Sequence, residues 1–178
     1  MKKGKYLILV GSVLLFTGCG NETVEGEKET LTFTNKYECS RVENYTEYDL
    51  EHRNGGGILT AEEMEKKKNS PVAVEGKISK VYDFNEEGSK LLGYYDIETY
   101  TYLVDVSMDE EKKLYEKKCE NAKNYGYKSC NVKVEDKVIT LTRVLDLESD
   151  DNRDIVQKTT LDSVKNDFRE DEIFTCAN

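Results

Sequence analysis

The stretch Val72 to Val106, VAVEGKISKVYDFNEEGSKLLGYYDIETYTYLVDV, decides the fold. Two runs, Val72 to Phe84 and Leu91 to Val106, are rich in Val, Ile, Tyr and Thr and flank the polar segment Asn85-Glu86-Glu87-Gly88-Ser89. Such residues suit a pleated strand, and a Gly-bearing segment between two such runs predicts a hairpin. In the first arm Ile78, Tyr82 and Phe84 share one parity, so their face is expected to be buried. The second arm crowds Tyr94, Tyr95, Tyr100 and Tyr102, and Tyr100 and Tyr102 project from the same side of the strand.

Ser107 followed by Glu110 has capping-box spacing and opens a helix that gathers Tyr115, Cys119 and Ala122 on one stripe until Gly126 ends it. Cys130 to Leu147 reads as a second hairpin turning at Asp136-Lys137, and a final helix over Asp151 to Arg169 sets Val156, Thr160, Val164 and Phe168 at helical spacing. Upstream, Thr30 to Ser40 reads as a strand. The segment 51–71, with Gly55-Gly56-Gly57 and the charged run Glu62 to Lys68, reads as a mobile loop carrying at most one short surface helix. The order strand, hairpin, helix, hairpin, helix predicts an α+β domain over 31–178: an antiparallel sheet of hairpins, two helices packed on one face, the other face left to solvent.

The first nineteen residues are of another kind. Lys2, Lys3 and Lys5 precede an apolar run from Tyr6 to Phe16, and Leu15-Phe16-Thr17-Gly18-Cys19 follows. The run is too short to span about 30 Å of hydrocarbon comfortably. The segment resembles a bacterial lipoprotein signal peptide ending in a lipobox. That resemblance implies cleavage after residue 18, a diacylglycerol on the Cys19 thiol, and an anchor in the cell membrane facing the extracytoplasmic side. Residues 20–30, GNETVEGEKET, then serve as a flexible tether. Cleavage would remove three Lys and take the net charge from -10 to -13. An acidic domain is repelled by anionic lipid and lacks the basic face that nucleic acid requires. Lipobox, polar tether and a compact domain of strand pairs and helices together resemble the YehR-like family of small bacterial lipoproteins, a likeness that implies a fold and an address but no chemistry.

With Cys19 assigned to lipid, Cys39, Cys119, Cys130 and Cys176 remain, an even number in an exported chain. Their separations of 80, 11 and 46 residues include no CxxC pair, which disfavours zinc and favours two disulfides. Cys119 lies two turns before its helix ends and Cys130 opens the strand that returns alongside, so these two are expected to pair, leaving Cys39 with Cys176.

Catalytic signatures are scarce. The single His, His52, has no GxSxG, lysine-serine pattern or second His to work with, and no Lys-Ser or Lys-Thr follows the triple glycine at phosphate-loop spacing. Asp146, Glu148, Asp150, Asp151 and Asp154 are the densest carboxylate cluster, but Asp151 and Gln157 stand where a calcium loop needs Gly and Glu. No cofactor and no metal are expected. Tyr94, Tyr100 and Tyr102 are the candidate contact surface for an envelope protein or small ligand, with cross-strand packing as the other reading of the same residues. The expected function is that of a membrane-anchored, non-catalytic binding or envelope-associated module. A cell-surface hydrolase or protease-inhibitor-like domain is the alternative.

Overall fold

The computed structural model describes residues 31–53, 58–169, 171 and 173–177. The signal segment, Cys19, the tether and the triple glycine lie outside the described residues.

Six strands form one open antiparallel sheet: β1 (Asn35–Thr46), β2 (Val72–Phe84), β3 (Leu91–Tyr102), β4 (Tyr127–Glu135), β5 (Val138–Leu145) and β6 (Thr175–Ala177), in the order β4-β5-β3-β2-β1-β6. Among the described residues five α-helices accompany them: α1 (Glu47–His52), α2 (Ala61–Asn69), α3 (Met108–Glu120), α4 (Arg153–Lys158) and α5 (Leu161–Arg169). The fold is therefore mixed α/β on an antiparallel sheet, with more helices than the two expected.

The differences from expectation have local causes. β1 runs on to Thr46 because residues 35–46 pair along β2, which satisfies the backbone of the segment Arg41 to Thr46. Helix α1 starts where a capping box closes: the Asp49 amide donates to Thr46 Oγ1 at 3.3 Å and the Thr46 amide to Asp49 Oδ2 at 2.9 Å. The segment read as a mobile loop begins inside α1 and contains α2, which carries its own box between Thr60 and Glu63. The expected final helix is split. Thr160 and Ser163 exchange backbone-to-side-chain bonds of 2.9 and 3.2 Å and restart the chain as α5, because short hydroxyl side chains compete with the helical ladder. The β2–β3 turn brings Gly88 (φ +71°) against Leu161, where a Cβ would stand 2.9 Å from that side chain's Cβ.

Two apolar clusters form on one side of the sheet. The first joins Tyr37, Cys39, Phe84 and Leu91 to Val164, with Tyr82, Tyr94, Phe168 and Phe174 around them. The second joins Ala73, Val74, Tyr100, Tyr102 and Ile139, with Tyr45, Leu50, Met108 and Tyr115 around them. Between the clusters the sheet register places a charged row. Cys176, Cys39, Lys80, Asp96, Arg143 and Cys130 stand side by side on β6, β1, β2, β3, β5 and β4. Disulfides Cys39–Cys176 and Cys119–Cys130 close the two ends of this row. Of the β2 residues expected in the core, Phe84 is fully buried, whereas Ile78 and Tyr82, nearer the charged row, are only half-buried. The opposite face is not wholly open: Ser79 and Val81 are buried there, and Phe33 lies edge-on to Tyr95 at 5.6 Å between ring centres.

Candidate functional site

A cleft of about 250 Å³ opens between α1, α3 and the sheet beside the second cluster. Its position follows from how α1 is held. The Glu47 amide donates to the Pro71 carbonyl at 2.9 Å, the Tyr48 amide to Ser70 Oγ at 3.0 Å, and Asp49 pairs with Lys67 of α2 at 2.7 Å. These contacts fix α1 at the mouth of β2 and set Asp49, Leu50 and Arg53 along one wall. The opposite wall is α3, whose Glu111, Leu114, Tyr115 and Lys118 follow the three-and-four spacing of one helical face. The floor is Tyr45, Val74, Tyr100 and Tyr102. Gly76 makes the floor possible, since a Cβ there would meet the Tyr100 ring at 3.2 Å and the Glu43 carbonyl at 3.1 Å.

Three phenols of the floor are each tied to a carboxylate. Tyr45 donates to Glu43 at 2.6 Å, Tyr100 to Glu98 at 2.7 Å, and Tyr102 to Glu111 at 2.7 Å. Burial raises all three phenols above the ordinary tyrosine range, followed by the carboxylate bond for Tyr45 and Tyr100 and, for Tyr102, by its bonds with Tyr115 and then Glu111. They stay protonated and neutral at any physiological pH. Glu111, itself buried, also receives Arg53 Nη1 at 2.7 Å. Burial works against its charge, but the hydrogen bonds from Arg53 and Tyr102 outweigh it and hold the carboxyl below its ordinary value. Such paired groups are poor proton shuttles.

Lys118 is the cation at the opening. Its ammonium lies 4.6 Å from the ring centre of Tyr115, 5.5 Å from that of Tyr100, and 3.6 Å from Glu98. Glu98 is also paired with Arg143, and Asp96 in the charged row accepts from the hydroxyls of Tyr94 and Tyr127. This network joins the floor of the cleft to the charged row.

The residues singled out in the sequence fall in different places. Tyr100 and Tyr102 are 5% and 3% exposed, so they belong to the core and the cleft floor rather than to an open contact surface. The helical layer that covers their face of the sheet is the reason. Tyr94, half-buried, packs on Tyr82 at 4.9 Å in the first cluster and does not line the cleft. His52 is exposed, stacks on Tyr48 at 3.9 Å and has Nδ1 2.9 Å from the Tyr48 carbonyl, away from both clefts. The acidic segment is largely consumed locally: Asp150 pairs with Arg153, Asp154 with Lys158, and Asp146 accepts from the Glu148 amide at 3.1 Å. Asp146 and Asp151 also border a second hollow of about 270 Å³ with Tyr127 and Lys128. No group of three or more metal-holding side chains occurs among the described residues. Glu98, Glu111, Arg53 and Lys118 went unmarked in the sequence. The signals available were two carboxylates placed between strand tyrosines and the 111-114-115-118 spacing.

Comparison with known proteins finds no matching family model, no matching curated protein and no matching solved structure.

Proposed function

We propose that the chain is a lipid-anchored extracytoplasmic binding module without catalytic function, which takes a small ligand in the cleft between α1, α3 and the sheet. The observation that carries this reading is the cleft floor and the carboxylates around it. Its phenols are rigid, neutral and fixed by carboxylates before any ligand arrives, which lowers the entropic cost of binding, while its carboxylates are already paired. The basic start, the apolar run and Cys19 support the lipid anchor. Two disulfides fit an oxidising space outside the cytosol. The YehR-like resemblance points to the same address.

Metabolic labelling with a tagged fatty acid tests the anchor, and protease treatment of intact spheroplasts tests the orientation. The wild-type chain is expected to incorporate label and to be cleaved from outside, whereas Cys19→Ala should persist as an unlabelled precursor. Label on the Cys19→Ala chain would refute the anchor, and protection of the wild type would refute the orientation.

A further inference from the structure

We propose that the cleft is specific for an organic ammonium group, and that Lys118 is the chain's own occupant of that site. The inference rests on the reading of the cleft as a binding site and names the chemistry it selects. Tyr45, Tyr100 and Tyr115 present ring faces in one place, with Tyr100 centred 4.9 Å from Tyr115 and 6.2 Å from Tyr45. Aromatic faces carry negative quadrupole density, and several of them grouped around a small volume select alkylammonium ions. The carboxylates beside the phenols add to this preference. Because Tyr45 and Tyr100 donate their protons to Glu43 and Glu98, what they offer an incoming group is electron-rich ring and oxygen lone pair. Arg53, the other cation of the wall, is neutralised by Glu111 and gives an anion little reason to enter.

The position of Lys118 shows the preference at work. Its side chain is half exposed and could extend into water, yet its ammonium lies over two of the rings and within ion-pair distance of Glu98. A half-exposed lysine that fills a ring-lined site is displaced at low cost by a better-fitting cation, so it sets a threshold for entry. The chemical class expected is a small primary, secondary or quaternary amine. The α3 placement of Lys118, one turn beyond Leu114, means that its withdrawal opens the mouth without disturbing the floor.

The test uses the full chain in detergent with ¹³C-labelled tyrosine and three probes at matched ionic strength: tetramethylammonium chloride, tert-butanol and sodium acetate. In Lys118→Met, tetramethylammonium should shift the Tyr100 and Tyr115 resonances at about tenfold lower concentration than in the wild type, while Tyr37 in the other cluster stays still. Lys118→Gln, which keeps a polar end but no charge, should behave as Lys118→Met does. Equal affinity for tetramethylammonium with and without Lys118 overturns the occupant role. Tert-butanol or acetate moving the same resonances overturns the ammonium specificity while leaving the cleft a binding site. Silence from all three probes in both variants removes the binding reading and the inference together. Unchanged melting temperatures in the two variants establish that the comparison is made on folded protein.

Discussion

The two apolar clusters lie on the same side of one sheet and are built from different chemistry. The first closes Phe84, Leu91 and Val164 under Phe168 and Phe174, with Tyr37, Tyr82 and Tyr94 among them, of which Tyr94 is bonded to a carboxylate, Asp96. The second is assembled around tyrosines whose hydroxyls must find partners, and it leaves a cleft beside them. Burying a hydroxyl without a partner costs several kcal/mol, and the carboxylates of Glu98 and Glu111 remove that cost. The comparison teaches that a phenol–carboxylate network can hold a cleft open where aliphatic packing would collapse it. The charged row between the clusters keeps the two solutions apart.

The most disruptive way to break the comparison is through the disulfides. Cys39–Cys176 closes a separation of 137 residues beside the first cluster, and Cys119–Cys130 one of 11 residues beside the second. In the chain-entropy model these stabilise by about 5 and about 3 kcal/mol. The double variant Cys39→Ser, Cys176→Ser should therefore lower the urea midpoint more than Cys119→Ser, Cys130→Ser under non-oxidising handling. The reverse order would show that the second cluster, with its cleft, is the stability centre.

A side-chain contrast sharpens the point. Phe84→Ala should cost about 4 kcal/mol, because a fully buried ring leaves a cavity. Tyr100→Phe keeps the ring and removes one bond to a carboxylate that retains Arg143 and Lys118, so about 1 to 2 kcal/mol is expected. Chemical denaturation of the two variants decides the matter; equal losses would mean that the phenol network is a second stability core and not a scaffold for a cleft.

The smallest effect expected lies outside both clusters. Glu38, bonded by Lys36 and then, against partial burial, by Lys77 and Ser79, has its carboxyl lowered to about 2 from the ordinary 4.5. A carboxyl lowered on folding contributes stability that is complete above pH 4.5 and is lost as the pH falls towards 2. Glu38→Gln should thus cost about 1 kcal/mol at neutral pH and progressively less as the pH falls from 4.5 through 2, and melting curves across that window measure the difference. A constant gap at all pH values would assign Glu38 a packing role instead.

Much of the sheet was legible in the sequence because strand pairs announce themselves locally. The β2–β3 arms, the turn at Asp136 and the Ser107 helix start all follow from composition and spacing within a few residues. Helix α1 was not legible: its box uses Asp49 where the familiar pattern has Glu or Gln, and it follows directly on a strand whose last six residues, Arg41 to Thr46, show no clear apolar alternation. The break before α5 depends on a hydroxyl exchange between Thr160 and Ser163 that a stripe of apolar residues conceals. The cleft was hidden for a tertiary reason. Tyrosines on one strand look the same whether a helix covers them or not, and only the arrival of α1 and α3 turns Tyr100 and Tyr102 from a surface row into a floor.

The covalent link between the first and last strands also dictates an order of events. In a chain that emerges N-terminus first, Cys39 is free to meet Cys119 and Cys130 before Cys176 has arrived, 137 residues later. Cys119 and Cys130, eleven residues apart, can capture each other almost as soon as both are exposed. Early closure of that short loop removes the two wrong partners and leaves Cys39 waiting for the correct one. The helix–strand bridge thereby acts as a proofreading step for the long one, and a chain lacking it is expected to accumulate mispaired isomers that only thiol–disulfide exchange can rescue.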